Sequence, residues 1–152
     1  MNIKEFKLQL PRNRAIMAFD YGEKRLGVAV SDLLLMTANP ITIIKRGTLT
    51  QDLSQIKQII ADKEVGAIVY GLPLQMDGTE GETAAAVRKY ATSLHQELKI
   101  PYMFWDERLS SRAVENFLIK EVDMSRTKRK QSLDSSAAAY ILQGVLDALR
   151  YS

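Results

Sequence analysis

The order of apolar segments in this chain predicts an α/β fold built on a mixed, five-stranded sheet. Three short apolar runs come first, and the connection between the first two is too short for a crossover helix, which indicates an antiparallel hairpin. Later apolar runs alternate with segments of helical period, a pattern typical of parallel strands joined by helices. We therefore expect a sheet with an antiparallel hairpin edge, flanked by helices.

Five apolar runs have the length and composition of buried strands, and four segments have helical period. Two helices are expected to begin with capping boxes, at Thr48 with Gln51 and at Thr79 with Glu82, the second helix reaching about Leu98. The other two helices are marked by apolar residues within Val114–Val122 and Ala138–Leu149. The predicted strands are Ala15–Phe19, Leu26–Val30, Ile41–Lys45, Val65–Tyr70 and Pro101–Trp105.

The composition indicates one globular domain. Residues 1–13 are a polar lead-in, and residues 14–152 are expected to form the domain. The sequence shows neither a secretory signal nor an apolar stretch long enough to cross a bilayer, so we expect a cytoplasmic protein. The chain has no cysteine and a single histidine, His95, which excludes thiolate chemistry and His-rich metal sites. We expect His95 to be a packed or surface residue.

Three carboxylates occupy positions that such a fold would bring together. Asp20 follows the first strand, Glu107 comes just after the last strand, and Asp134 has the spacing of the inward stripe of the final helix. Each acid alone has a structural explanation, as a turn residue, a surface ion-pair partner or a helix N-terminal charge. Converging carboxylates need a cation, and ligands that offer only oxygen favour Mg²⁺ or Mn²⁺. The three acids together therefore favour a metal site.

Basic residues adjoin every one of these acids. Between Lys120 and Gln131 there are five basic and two acidic residues, a balance of +3 that equals the formal net charge of the whole chain. Cations beside a metal site suit the phosphate backbone of a nucleic acid, whereas a solvated loop is the structural alternative. The candidate backbone-binding residues are Lys24, Arg25, Arg108, Arg112, Arg126, Lys128, Arg129 and Lys130.

The segment Gly71–Thr79 links a predicted strand to a predicted helix and contains two glycines and a proline. Such a loop can bring backbone N–H groups near a phosphate. It carries neither a Walker lysine pattern nor a dinucleotide fingerprint, so a structural connection is the favoured interpretation.

Four motifs follow one another along the chain, namely Phe19–Asp32, Gly71–Pro73 with Asp77–Glu80, Asp106–Ser111 and Asp134–Ala138. Together they resemble the YqgF family, whose members are described as Holliday junction resolvases or pre-16S rRNA nucleases. The resemblance implies an RNase H-like fold and action on nucleic acid, with bacterial ribosome maturation as the setting. It also implies that Asp20, Glu107 and Asp134 are catalytic, metal-binding acids.

One departure from related resolvases concerns a fourth carboxylate, which they often carry one helical turn after the acid on the last helix. Residues 135–138 supply no such acid here, which leaves Asp32 and Asp106 as possible substitutes. Our leading hypothesis is a Mg²⁺- or Mn²⁺-dependent nuclease acting on precursor 16S rRNA, as a monomer or weak homodimer without membrane association.

Three alternatives stay open at this point. The first is a resolvase acting on junction DNA, which normally needs a symmetric dimer. The second is a non-catalytic, RNA-binding ribosome assembly factor. The third is phosphotransfer of the actin and sugar-kinase type, suggested by Asp20–Gly22 followed by Gly27, although such proteins enclose a nucleotide between two domains.

Overall fold

The structure, a computed structural model, describes residues 1–109 and 126–152, and the side chains of residues 1–108 and 137–152. Five strands of the described residues form one sheet in the order β3-β2-β1-β4-β5. Strand β1 is antiparallel to β2, β2 is antiparallel to β3, and β1, β4 and β5 are parallel, which confirms the predicted mixed sheet. The strands are β1 (Ala15–Tyr21), β2 (Arg25–Ser31), β3 (Ala38–Lys45), β4 (Val65–Leu72) and β5 (Tyr102–Asp106).

Helices cover both faces of this sheet. The helix predicted around Val114–Val122 lies outside the described residues. In the part of the chain that the structure describes, no helix is long and apolar enough to cross a membrane. The described helices are α1 (Ile3–Gln9), α2 (Leu49–Lys63), α3 (Glu82–Leu94) and α4 (Arg126–Arg150), and a 3₁₀ turn spans Glu107–Leu109.

The alternation of side chains along the strands divides the core into two layers. Met17 and Phe19 of β1 pack with α2 and α3, whereas Ile16 and Ala18 pack with α1 and α4. Every residue of β4 is buried, because this strand lies inside the sheet, between β1 and β5, and is covered on both faces. We call the two sides of the sheet the α2/α3 face and the α4 face.

The N-terminal segment differs from the polar lead-in that the sequence indicated. Residues Ile3–Gln9 form α1, which begins with a capping box between Asn2 and Glu5. Phe6 is fully buried in the core layer of the α4 face. The segment therefore packs on the same core as the rest of the chain.

The capping box predicted at Thr79 is wrong. Helix α3 begins after Gly81, which makes no side-chain cap, and it ends at Leu94 rather than near Leu98. The hydroxyl of Thr79 instead lies 2.9 Å from Gln75 Oε1 and 2.6 Å from Asp77 Oδ1, inside the preceding loop. The capping box at Thr48 and Gln51 is confirmed and opens α2.

Candidate active site

Two of the three predicted acids meet where the parallel strands end. Asp20 is the penultimate residue of β1, and Glu107 follows β5 directly. Although β4 lies between these strands, the carboxyl groups of Asp20 and Glu107 share a hydrogen bond. The structure thus brings together residues that are distant in the sequence.

Glu107 can reach Asp20 because the intervening strand carries Gly71. The backbones of β1 and β5 are separated by two strand spacings, about 10 Å. A Cβ atom at Gly71 would lie only 2.5 Å from Glu107 Oε1 and 2.5 Å from Ile141 Cδ1 of α4. The missing side chain therefore leaves the space in which Glu107 crosses β4. The sequence analysis placed Gly71 just after the predicted strand Val65–Tyr70, at the start of a connection, whereas the structure extends this strand to Leu72. A glycine inside a strand is typical of such a close approach, but the predicted strand end hid this signal.

Burial raises the pKa of Glu107, and the hydrogen bond with Asp20 opposes that effect. The negative charge of Asp106 raises the pKa further. Two carboxyl groups in such contact cannot both remain charged without a counterion, so the pair shares a proton or binds a cation. The site is thus an anionic, partly buried pair of oxygen donors.

The third predicted acid, Asp134, lies outside the residues whose side chains are described. Its backbone belongs to α4, four residues before the buried Ala138 and seven before Ile141. Ile141 is the residue that contacts Gly71 beside Glu107. The contribution of Asp134 to the site stays a prediction.

Asp32 does not reach the acid pair. Gly27 of β2 pairs with Asp20, and Asp32 lies five residues further along, about 17 Å away at the rise of a strand. Asp32 Oδ1 accepts hydrogen bonds from the N–H groups of Met36 at 2.7 Å and Thr37 at 3.0 Å. These bonds, with that of Thr37 foremost, lower the pKa of Asp32. Asp32 is a turn residue, so it does not replace the missing fourth carboxylate.

Asp106 lies next to the pair, but its carboxylate is bound by Arg108. Arg108 Nη2 is 2.7 Å from Asp106 Oδ2, and Arg108 Nε contacts both oxygens. These contacts lower the pKa of Asp106. Among the residues whose side chains are described, no three acids or histidines are grouped so as to hold a metal ion.

The predicted basic residues lie in three settings. Arg108 is tied to Asp106, and its Nη1 is also 3.5 Å from the Gln75 carbonyl and 3.4 Å from that of Met76. Lys24 lies in the β1–β2 turn, and Arg25 begins β2. Arg112 lies outside the described residues, and the other four begin α4 with side chains outside the described set, namely Arg126, Lys128, Arg129 and Lys130.

Strand register adds a cation that the sequence analysis missed. Arg25 pairs with Lys45 of β3, and Asp20 pairs with Gly27. Asp20 and Arg25 are consequently diagonal neighbours, about 7–8 Å apart across the hairpin. We refer to Lys24, Arg25 and Lys45 as the basic rim.

Gly71 and Leu72 of the Gly71–Thr79 segment belong to β4, and backbone N–H groups in the loop that follows donate to acceptors within that loop. Those of Gln75 and Gly78 donate to the carbonyls of Thr79 and Gln75, each at 2.8 Å, and that of Thr79 donates to Asp77 Oδ1 at 3.0 Å. Because these donors already have partners within the loop, the structure supports a connecting role for it.

The fold and the strand-end acid pair define the class of protein, an RNase H-like α/β domain. RuvC from T. thermophilus, solved in complex with a Holliday junction substrate, aligns with a TM-score of 0.57 and 12% identity, over 91% of this chain and 98% of that one. That likeness shows the fold. The family model described as "RuvX: Holliday junction resolvase" matches residues 14–148, and the chain belongs to this family.

The same family, YqgF, was indicated by the four sequence motifs, and that resemblance is confirmed. A relative from Gluconacetobacter diazotrophicus is 43% identical over 147 residues, which are 97% of this chain and 96% of the relative. Another, from Rhodospirillum centenum, is 46% identical over 154 residues, covering 98% of this chain and 81% of the relative. Both bear the description "Putative pre-16S rRNA nuclease".

Proposed function

We propose that this protein is a metal-dependent nuclease that hydrolyses phosphodiester bonds of precursor 16S rRNA during ribosome maturation in the bacterial cytoplasm. The observation that carries the proposal is the acid pair of Asp20 and Glu107, formed across Gly71. The chain belongs to the same family as relatives that are named pre-16S rRNA nucleases. The alignment with one of them covers 97% of this chain and 96% of the relative.

The acid pair fits Mg²⁺ or Mn²⁺. The atoms that it offers to a metal are carboxyl oxygens only. Because the two carboxyl groups are in contact, a proton or a cation must lie between them. Asp134 is the proposed third ligand. When bound, such an ion lowers the pKa of a water molecule and stabilises negative charge on the leaving oxygen.

The basic residues have a separate task in this proposal. Contacts from lysine and arginine to phosphates position a nucleic acid without reading its sequence. Arg25 is the diagonal neighbour of Asp20, so a phosphate bound at the basic rim would hold the adjoining strand beside the acid pair. The proposed contacts are Lys24 and Arg25, with Arg108, Arg112, Arg126, Lys128, Arg129 and Lys130.

The test is cleavage of precursor 16S rRNA by the Asp20→Asn and Glu107→Gln variants, with and without Mg²⁺ or Mn²⁺. We expect each variant to lose about 10³-fold in rate, because a catalytic metal supplies several kcal/mol of transition-state stabilisation. RNA binding should persist, since the basic residues are unchanged. Asp32→Asn is the matched control and should cleave normally, because Asp32 lies at the far end of β2. Unchanged cleavage by Asp20→Asn would exclude the mechanism.

A second candidate, cleavage of junction DNA, is favoured by the description of the matching family model. A four-way DNA junction should therefore be assayed beside the RNA with the same variants. Resolution of a junction requires two sites related by symmetry, so it should coincide with a dimer on the junction. We propose that the protein is a monomer or a weak homodimer. RNA cleavage should therefore not depend on dimerisation. RNA binding without cleavage, and without Mg²⁺ or Mn²⁺ binding at millimolar concentration, would instead indicate a non-catalytic assembly factor.

A further inference from the structure

The turn that follows the first acid is closed by the Gly22 N–H group, which donates to the Arg25 carbonyl at 2.8 Å, and is held from outside by Arg46, the residue after β3. The N–H group of Arg46 donates to the Lys24 carbonyl at 2.9 Å. Arg46 Nη1 donates to the carbonyls of Gly22 at 2.9 Å and Glu23 at 3.0 Å. Arg46 thus donates hydrogen bonds to three consecutive carbonyls of the β1–β2 turn.

The guanidinium of Arg46 is itself fixed by its surroundings. It lies over the rings of both Tyr21 and Tyr90, 4.6 Å and 4.5 Å from their centroids, which are themselves 5.2 Å apart. Its Nε is 3.7 Å from Oδ2 of Asp52, whose side chain is only 1% exposed. Asp52 is held in turn by the Gly47 N–H group at 3.0 Å and the Tyr90 hydroxyl at 2.9 Å. This arrangement depends on a planar cation that stacks on two rings while Nη1 donates to two carbonyls, which the ammonium group of lysine cannot imitate.

The position of this turn governs two cations of the basic rim. Lys24 lies in the turn, and Arg25 follows it at the start of β2, as the diagonal neighbour of Asp20. A turn free to move would lose conformational freedom whenever its cations engaged a phosphate, and prior ordering removes that cost from binding. Arg46 supplies this ordering from the side of the turn where β3 ends.

We propose that Arg46 is a positioning residue for nucleic-acid binding, which holds turn 22–24 so that Lys24 and Arg25 meet the phosphate backbone beside Asp20. The inference rests on the proposed nuclease function. It assigns Arg46 no contact with the substrate, so its effect must pass through the two cations of the turn.

A double-mutant cycle tests this dependence. In an Asp20→Asn background, which prevents cleavage, affinity for a precursor 16S rRNA fragment is measured at several salt concentrations. The cycle compares Arg46→Lys, the pair Lys24→Gln with Arg25→Gln, and all three changes together. We expect Arg46→Lys alone to weaken binding by between about 2-fold and 100-fold, the span of coupling within one network. It should also reduce the salt dependence, since phosphate contacts are lost. In the variant that already lacks Lys24 and Arg25, Arg46→Lys should change neither the RNA affinity nor its salt dependence.

Arg88→Lys is the matched control. Arg88 also stacks on an aromatic ring, 4.6 Å from the centroid of Phe104, and pairs with a carboxylate, that of Glu80. Both Arg→Lys changes should lower the melting temperature, but Arg88→Lys should alter neither RNA affinity nor its salt dependence. If Arg46→Lys does not fold, Tyr21→Leu removes one ring from the stack, leaves Arg46 in place and enters the same cycle.

Two results would overturn the inference while leaving the nuclease proposal intact. One is RNA binding that weakens on loss of Lys24 and Arg25 but not on Arg46→Lys. The other is an Arg46→Lys effect of the same size with and without the two cations, which would mark a general structural role. If the Asp20→Asn protein binds neither the RNA fragment nor junction DNA, the proposed function itself fails.

Discussion

At the scale of single residues, Gly71 shows how a missing side chain creates a site. Glycine in the interior of a strand costs about 0.5–1 kcal/mol relative to alanine, so its presence in buried β4 needs a compensating reason. The reason is the space that Glu107 and Ile141 occupy, where a Cβ atom would lie 2.5 Å from each. The acid pair thus depends on a residue that carries no functional group.

We expect Gly71→Ala to displace Glu107 from Asp20 and to weaken Mg²⁺ or Mn²⁺ binding by about 10-fold to 100-fold, the effect typical of disturbing the supports of a metal site. Calorimetric titration of the metal measures this directly. Gly66→Ala is the matched control in the same strand, because its Cβ would lie 2.5 Å from Pro11 Cγ and 2.6 Å from Arg14 Cβ. Both variants should lose about 1–3 kcal/mol of stability through overpacking. Equal metal affinities in the two variants would contradict the role assigned to Gly71.

The sequence predicted that Asp20 and Glu107 would lie close together but not how they do so, and whether Asp134 joins them stays a prediction. Asp20 and Glu107 were selected because each stands where a predicted strand ends, and the structure brings them together. The role of Gly71 depends on the register of three strands, which apolar periodicity does not specify. Asp32 is close to Asp20 in sequence, but the hairpin carries it to the other end of the sheet. The pairing of β1 with β2 and the turn contacts of the Asp32 carboxylate, neither of which the sequence showed, exclude it.

At the scale of elements, four of the five strands were predicted to within about two residues at each end, because buried strands leave apolar runs in the sequence. Strand β3 is mostly exposed and begins at Ala38, three residues before its predicted start. Helix α1 was missed because most of its residues are exposed and only Phe6 is buried, which is too little for a recognisable period. The start of α3 was misplaced because Thr79 has the spacing of a cap but bonds within its own loop. Short polar side chains can satisfy either arrangement, and local sequence does not decide between them.

His95 joins three elements on the α2/α3 face. Its Nε2 lies 2.8 Å from the hydroxyl of Tyr70 in β4, its Nδ1 lies 3.1 Å from the Leu98 carbonyl, and its ring stacks on Tyr102 of β5 at 3.8 Å. The neutral ring suits these contacts, because Nδ1–H donates to the carbonyl while Nε2 accepts from the hydroxyl. Burial lowers the pKa of His95, against the weaker opposing effect of the Leu98 carbonyl.

This pKa predicts a loss of stability in mild acid. The unfolded chain binds a proton at His95 near pH 6.5, above the pKa in the folded protein, so the free energy of unfolding should fall as the pH drops below about 6.5. Once the pH is below the pKa of His95 in the folded protein, this residue should cause no further fall in the free energy of unfolding. Urea unfolding between pH 7.5 and 5 measures it, with His95→Gln as the comparison. Glu107, whose pKa is raised, contributes with the opposite sign but equally in both proteins. An identical pH dependence in wild type and His95→Gln would contradict the assignment.

At the scale of the whole molecule, the small positive charge is unevenly distributed. The formal net charge is +3, and outside Lys120–Gln131 the chain carries 16 basic and 16 acidic residues. Four exposed lysines lie on the side of the sheet covered by α2 and α3, namely Lys57, Lys63, Lys89 and Lys99. The segment 126–130 instead begins α4, the helix that packs on the other side. The same change in net charge can therefore be made either in segment 126–130 or on the α2/α3 face.

Replacing Arg126, Lys128, Arg129 and Lys130 with glutamine takes the formal net charge from +3 to −1, and so does replacing the four α2/α3-face lysines. We expect only the first variant to lose RNA affinity markedly, with its salt dependence reduced by about 0.7–0.9 per phosphate contact removed, since counterion release follows local contacts. Titration of a precursor rRNA fragment over a range of salt concentrations measures both quantities. The lysine variant should bind nearly as wild type, because exposed charges beyond the Debye length, about 8 Å at physiological salt, are screened. Equal losses in the two variants would show that affinity follows net charge, and would remove segment 126–130 from the proposed interface.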